Sequence, residues 1–337
     1  MGTGRIGYLD LARGMCICIV MLFHVNGIMQ CEFFGDHVLF SSFMLPPFFF
    51  ISGFLFKAES FRTFLIKKVN RLLMPFLFFY LISAVILPNV LHFAAGLNFE
   101  TLTGWKSLWA FIWPGQYPNI PLWFIWCLFL MNLLFWLINY LCVRCCRNSS
   151  GMVLVLLCFF FSLGGACAEH FFSVDAACVV RTFKFILFFC VGHLVRGYIN
   201  NEINHNTGWK MVLSLLVSFM IASVPAVSYR YDNMLLEAVV FCGSGLAGSL
   251  FVILLCSLIN HLPVISYLGE NTIVIIATHG LLVRAIASGV VRLSYRIGPC
   301  YSVILFWLLM VLSYLLLIPL IKLCLPHFTA QKPLFRI

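Results

Sequence analysis

Charged side chains are scarce in this sequence, and their scarcity excludes a soluble globular domain. Asp, Glu, Lys and Arg make up 9% of the 337 residues, whereas about 25% is typical of soluble proteins. Hydrophobic residues make up 63%, well above the roughly 45–50% of soluble domains. The composition therefore predicts an integral membrane protein that crosses the bilayer many times.

Several signatures of soluble enzymes are also missing. The sequence contains no Walker loop, no dinucleotide-binding glycine pattern and no Ser/His/Asp order. Most of the 15 cysteines lie inside apolar runs, and no pair has metal-ligand spacing with a histidine nearby. We therefore expect neither a disulfide framework nor a metal site. The net charge of +10 is spread over the loops, where it sets membrane orientation before it suggests nucleic acid.

Ten apolar runs are long enough to cross a bilayer. They span residues 8–29, 38–56, 72–94, 121–143, 151–168, 179–199, 209–228, 234–260, 264–290 and 301–325. We predict an all-α, polytopic transmembrane helix bundle that occupies residues 1–337 as a single domain, with no fused soluble domain. The first run is long and lacks a small-residue cleavage site, so we expect it to remain as a span rather than act as a signal peptide.

Basic residues concentrate on alternate loops, and this asymmetry predicts the orientation. The residues on the basic side are Lys57, Arg62, Lys67, Lys68, Arg71, Arg144, Arg147, Arg196, Lys210, Lys332 and Arg336. Loops rich in Lys and Arg face the cytoplasm, so we expect both termini to be cytoplasmic. Arg292 and Arg296, before the tenth span, disagree with this orientation, but charges late in the chain weigh less.

Polar residues in the first span give the strongest functional signal. Asp10 and Arg13 lie at its leading end, and His24 lies deep in the apolar run. Arg13 and His24 are about three helical turns apart, so they share one face, roughly 16 Å apart along the axis. A charge at bilayer depth costs about 2.5–3.5 kcal/mol, which favours a polar interior site. The alternatives are a snorkelling ion pair at the helix end and a histidine that only packs.

Two further segments allow either a structural or a functional interpretation. In the second span, Ser52 and Gly53 follow a Pro-Pro pair, which suits a kinked packing helix with a small-residue contact or the wall of a pocket. In the next loop, Lys68 and Arg71 are a topology anchor, a clamp for anionic phosphates, or both.

The later spans contain a few more residues that could belong to a functional site. Trp123 opens the fourth span, where it fits either the interfacial aromatic belt or an acceptor site. The ninth span holds Glu270, Asn271 and His279, and the last of these suits a helix contact or a site wall. Two cations at the start of the sixth span, Arg181 and Lys184, are expected to snorkel, with Glu237 as a possible partner.

Taken together, these motifs resemble the acyltransferase-3 family of integral membrane O-acyltransferases, of the carbohydrate O-acetyltransferase type. The resemblance covers about residues 5–325. It rests on an Arg, ten residues and a His in the first helix, on a Phe-rich Ser-Gly-Phe element, on a basic pair, on a Leu-Trp-Phe element and on a late histidine. The matching residues are Arg13, His24, Phe49, Phe50, Ser52, Gly53, Phe54, Lys68, Arg71, Trp123 and His279. The chain has Lys68 where the family typically has the first Arg of an Arg-x-x-Arg pair.

The resemblance implies an enzyme of a bacterial-type inner membrane. It would transfer an acyl group, acetyl or another small one, from acyl-CoA to a hydroxyl of a cell-surface or lipid-linked carbohydrate. His24 would be the general base or an acyl carrier in a catalytic group with Arg13 and Asp10. Arg13, Lys68 and Arg71 would hold the donor. The implied pocket residues are Phe49, Phe50, Ser52, Gly53, Trp123, Glu270, Asn271 and His279.

The implied partners are acyl-CoA, a glycan acceptor and the lipid bilayer, without nucleic acid or metal. The main alternative is a transporter of a glycan, lipid or small solute, in which Arg13 and His24 would line a polar pathway. A transporter needs no phosphate clamp, and the sequence shows no internal repeat. A membrane sensor without turnover is a weaker alternative.

Overall fold

The computed structural model describes residues 6–29, 31, 42–83, 119–146, 150–171, 178–205, 208–227 and 233–335. All regular secondary structure in these ranges is helical, which confirms the predicted all-α class. The helices are α1 (Gly7–Met29), α2 (Pro46–Phe54), α3 (Phe61–Lys68), α4 (Met74–Leu81), α5 (Leu122–Cys145), α6 (Ser150–Phe171), α7 (Cys178–His205), α8 (Trp209–Val227), α9 (Met234–Ile259), α10 (Pro263–Glu270), α11 (Thr272–Ile297) and α12 (Pro299–Cys324). A π-helical turn, Val69–Leu73, joins α3 to α4.

Six of these helices, α1, α5, α6, α7, α9 and α12, are long and apolar enough to cross a membrane. Shorter apolar helical stretches cover Ser42–Phe54, Lys210–Val224 and Thr272–Val283. Together they overlap nine of the ten predicted spans, so the polytopic bundle is confirmed. The remaining predicted span, 72–94, is described only as far as residue 83. The cytoplasmic placement of both termini stays a prediction.

The predicted ninth span, 264–290, differs from the structure because it is two helices. The break falls at Asn271, which ends α10 and precedes α11. The Asn271 side-chain amide donates to the carbonyl of Tyr267 (2.7 Å), and its backbone N–H donates to that of Leu268 (3.0 Å). These bonds occupy carbonyls at the end of α10, as expected of a helix end. A single apolar run had concealed this break.

The first helix lies at the centre of the bundle. It packs against α2, α9, α10, α11 and α12. Leu11, Ala12, Ile17 and Met21 are fully buried, as expected for a largely apolar helix with neighbours on several sides. The indole N–H of Trp307 on α12 donates to the Cys18 carbonyl over 2.8 Å. The helix with the strongest functional signal is thus held on several sides by other helices.

Glycines allow two pairs of helices to touch backbone to backbone. A Cβ at Gly14 would collide with the carbonyl of Ile265, and a Cβ at Gly269 would collide with that of Asp10. The α1–α10 contact therefore depends on two glycines that face each other's helix. Gly53 on α2 lies against α7 in the same way. Of the two interpretations of this segment, the contact agrees with the small-residue packing contact, a purpose that small residues serve in membrane bundles generally.

Candidate active site

Two histidines predicted from different spans meet inside the bundle. The ring centroids of His24 on α1 and His279 on α11 lie 5.0 Å apart. His279 is buried, and its Nδ1–H donates to the carbonyl of Ile275 over 2.8 Å. That bond leaves Nε2 as the acceptor nitrogen of a neutral ring. Nε2 has no hydrogen-bond partner among the described residues. The pair therefore offers a lone pair suited to proton transfer.

Both imidazoles line a cavity of about 360 Å³. Its wall is mostly aliphatic and aromatic, and its polar side chains are few. The lining residues are Ile17, Val20, Phe23, His24, Met44, Leu45, Phe48, Ile120, Pro121, Trp123, Phe124, Glu169, Arg181, Lys184, Phe185, Ile276 and His279. An apolar pocket with a few convergent polar groups is the usual form of a small-molecule site.

An ion cluster contributes most of the charge in this cavity. The carboxylate of Glu169, near the end of α6, pairs with Arg181 Nε (3.5 Å) and with the ammonium of Lys184. The two cations share a face of α7 because they are three residues apart. The guanidinium carbon of Arg181 also lies 4.5 Å from the centre of the Trp123 ring. The side chains of the cluster are 20–25% exposed, so the attraction is only partly screened by water.

The turn before α5 closes the cavity beside His279. The Asn119 amide donates to the carbonyl of Ala277 on α11 over 2.7 Å. A Cβ at Gly280 would lie 2.7 Å from Asn119 Oδ1 and 2.9 Å from Pro121 Cδ. Only a glycine lets this turn approach α11 so closely, and the approach brings Pro121 and Trp123 to the cavity wall.

The Phe-rich element of α2 supports the cavity largely from behind. Phe48 lines the cavity directly. Phe49 is fully buried, and its ring lies 4.7 Å from that of Phe185 and 5.0 Å from that of Phe124, both of which are lining residues. Phe49 thus fixes the wall without facing the ligand space.

The remaining predicted pocket residues of α2 serve helix packing. Phe50 is fully buried, and its carbonyl carbon and oxygen face Gly192 on α7. The Ser52 hydroxyl donates to the Phe48 carbonyl over 2.8 Å, so this bond lies within α2, not between helices. Gly53 and the backbone of Phe50 set how closely α2 approaches α7.

Asp10 and Arg13 form a second polar centre. Arg13 Nη1 lies 3.0 Å from Asp10 Oδ1, and Asp10 is buried. Neither residue lines the cavity, and the helix rise places Arg13 about 16 Å from His24 along α1. Glu270 and Asn271 follow Gly269, which contacts the Asp10 backbone. The structure therefore groups Glu270 and Asn271 with the Asp10–Arg13 pair and not with the cavity.

The basic pair predicted to hold a donor lies at the junction of α3 and the π-helical turn. Glu59 pairs with Lys67 at 2.6 Å, while Lys68 and Arg71 form no salt bridge to any carboxylate that the structure describes. Lys68 is partly buried and Arg71 is exposed. Burial, followed by the nearby positive charge of Arg71, lowers the pKa of Lys68 to about 8. Two cations are thus placed where an anionic group would be favoured.

No group of three or more His, Cys, Asp or Glu side chains is placed to hold a metal ion within the described ranges. The sequence interpretation did not identify Glu169 as a site residue. It had also treated Arg181 and Lys184 as snorkelling residues with Glu237 as a possible partner. The structure pairs both with Glu169. The sequence did contain a signal for this cluster. Glu169 follows the apolar run 151–168, and the two cations open the next run, 179–199, so all three fall on the same side of the membrane.

Comparison with known proteins identifies the family of the chain. The family described as Acyltransferase domain matches residues 6–320, nearly the whole chain. No curated protein and no solved structure matches the chain. The matched range contains both histidines, the ion cluster, the Asp10–Arg13 pair and the basic pair. The chain therefore belongs to the acyltransferase-3 family and is a membrane acyltransferase.

Proposed function

We propose that this protein transfers an acyl group, acetyl or another small one, from acyl-CoA to a carbohydrate hydroxyl at the cell's inner membrane. The observation that carries the proposal is the meeting of His24 and His279, 5.0 Å apart, in a cavity that also holds an ion cluster and a tryptophan. A cavity of this kind gives an acyltransferase a base, a binding surface for a polar acceptor and a wall that restricts water.

His24 acts as the general base in this scheme. The acceptor hydroxyl oxygen attacks the thioester carbonyl, so a carbon–oxygen bond forms and the carbon–sulfur bond breaks. The hydroxyl proton passes to His24 and then to the departing thiolate of CoA. His279 is held in one tautomer by Ile275, and its Nε2 accepts a hydrogen bond from the protonated ring of His24. Base catalysis of this type typically contributes about 10²–10⁴-fold. Acyl transfer through His24 itself is the alternative route.

The donor enters from the cytoplasmic side. Lys68 and Arg71 hold its phosphates, since charged hydrogen bonds to phosphate are among the strongest available to a protein. In the proposed path the donor next meets Arg13, which is held by Asp10 at 3.0 Å. The flexible arm of acyl-CoA then spans the roughly 16 Å of helix rise from Arg13 to His24.

The acceptor occupies the part of the cavity that is lined by Trp123 and the ion cluster. Sugar rings stack on aromatic faces, and their hydroxyls hydrogen-bond to carboxylate, guanidinium and ammonium groups. Glu169, Arg181 and Lys184 line the same cavity as His24, so a hydroxyl bound beside them lies in the same space as the base.

The decisive experiment uses the purified full chain in lipid nanodiscs with acetyl-CoA. Release of free CoA thiol that requires added glycan, with acetyl appearing on that glycan by mass spectrometry, supports the proposal. Mass spectrometry of surface glycans from cells with and without the chain identifies the natural acceptor. Glycan movement without consumption of acyl-CoA would instead support transport and would refute acyl transfer.

A further inference from the structure

The segment that follows α12 folds back onto the π-helical turn, at Asn70, which lies between Lys68 and Arg71 in sequence. The amide of Asn70 donates to the Phe335 carbonyl over 2.8 Å. Its oxygen accepts from the backbone N–H groups of Leu334 and Phe335, each at 2.9 Å. Asn70 is buried, so these three bonds satisfy a polar group that would be costly to bury alone. The side chain therefore binds the backbone of this segment.

Other contacts give the same segment a defined path. The ring of Phe328 stacks on Phe78 of α4, with centroids 4.0 Å apart. Thr329 is buried, and its backbone N–H donates to the Leu325 carbonyl over 3.1 Å. The backbone N–H of Lys332 donates to the carbonyl of Pro326 over 3.0 Å. The segment is thus packed at one end and hydrogen-bonded at the other.

This path brings the backbone close to Lys332 into the neighbourhood of the basic pair. Lys332 is two residues before Leu334, so their Cα atoms are at most about 7 Å apart. Leu334 is bonded to Asn70, and Asn70 immediately precedes Arg71 in the chain. Lys332 is exposed, unlike the partly buried Lys68. The chain path therefore holds the backbone next to Lys332, an exposed cation, against the residue that lies between Lys68 and Arg71 in sequence.

We propose that Lys332 binds the 3′-phosphate of the acyl-CoA donor and that Asn70 is the positioning residue that holds Lys332 in place. The inference rests on the proposed function, because it assumes that acyl-CoA binds at Lys68 and Arg71. The thioester of the bound donor points into the membrane towards His24. The adenosine end of the donor therefore lies nearest the cytoplasm. Lys68 and Arg71 take the diphosphate, and Lys332, which is exposed, takes the terminal phosphate.

The test compares CoA with 3′-dephospho-CoA, which lacks only that phosphate. Dissociation constants are measured on the full chain in nanodiscs for the native protein and the variants Lys332→Gln and Asn70→Ala. We expect native protein to prefer CoA by about three- to tenfold, the range for one charge-assisted contact near solvent. Both variants should lose this preference while keeping the native affinity for 3′-dephospho-CoA. The double variant should lose no more than either single one.

Lys57→Gln is the matched control, because Lys57 is an exposed cation in the connection between α2 and α3, away from the basic pair in sequence. It should keep the preference for CoA. Lys332→Gln leaves the backbone bonds of the segment intact, so the test stands even if Asn70→Ala fails to fold. Equal weakening of both ligands in Lys332→Gln, or an unchanged preference, overturns this inference and leaves the proposed function in place. Failure of native protein to bind either ligand overturns both.

Discussion

The ring of His24 lies 5.0 Å from that of His279, with one histidine on the first helix and the other on the next-to-last. The second ring is oriented by its bond to the Ile275 carbonyl. Orientation of this kind distinguishes an imidazole that can exchange a proton from one that only fills space. The two histidines therefore provide the most direct test of the proposed chemistry.

Replacing His24 with Gln should reduce acyl transfer by about 10²–10⁴-fold, because Gln keeps polarity and approximate size but cannot act as a base. The measurement is the rate of CoA release with acceptor present, normalised to folded protein in the membrane. His193→Gln is a matched control, since His193 packs between Phe56 and Phe135 and does not line the cavity. Near-native turnover in the His24 variant would remove it from the chemistry and make His279 the base.

Replacing both Lys68 and Arg71 with Ala should weaken acyl-CoA binding by roughly 2–4 kcal/mol, since charged hydrogen bonds contribute about 1.5–3 kcal/mol each before screening by salt. Equilibrium binding to the protein in nanodiscs measures the effect. Lys67→Ala serves as the control, because Lys67 is already paired with Glu59. If the folded double variant binds CoA as tightly as the native protein does, the basic pair only helps to set the membrane orientation of the chain.

Donor binding should also depend on pH through Lys68. Its pKa is lowered to about 8, first by burial and then by Arg71. The ammonium is cationic below that value and neutral above it, and a bound phosphate favours the cation. Affinity should therefore be constant near pH 7 and fall by up to about tenfold by pH 9. Lys68→Arg should remove the decline, because guanidinium stays charged throughout. An identical pH profile in native and Arg variants would contradict the assignment.

Replacing Glu169 with Gln should weaken binding of the glycan acceptor without changing binding of the acyl-CoA donor. The change leaves Arg181 and Lys184 without the carboxylate that pairs with both, so the wall that contacts the acceptor is disturbed. We expect the KM for the glycan to rise by about tenfold, the effect of roughly one lost charged interaction, with an unchanged CoA dissociation constant. Glu59→Gln, which removes the partner of Lys67, is the control. A rise in CoA dissociation constant alone would place the ion cluster in the donor site.

The sequence determined the class of the protein and most of its parts. Scarce charge and repeated apolar runs require helices that satisfy their own backbone hydrogen bonds in lipid. The spacing of Arg13 and His24 follows from helix geometry alone. The family resemblance rests on motifs that are each confined to a few residues. Such local features can be read without knowing how the helices are arranged.

Only the tertiary structure decided which of these parts meet. The approach of His24 to His279, the pairing of Glu169 with two cations of α7, and the bond from Asn70 to Phe335 all join distant segments. Helix order and rotation set these contacts, and an apolar run fixes neither, because its lipid-facing and buried sides have similar composition. Backbone contact at glycines, as at Gly14 and Gly269, selects one packing among many.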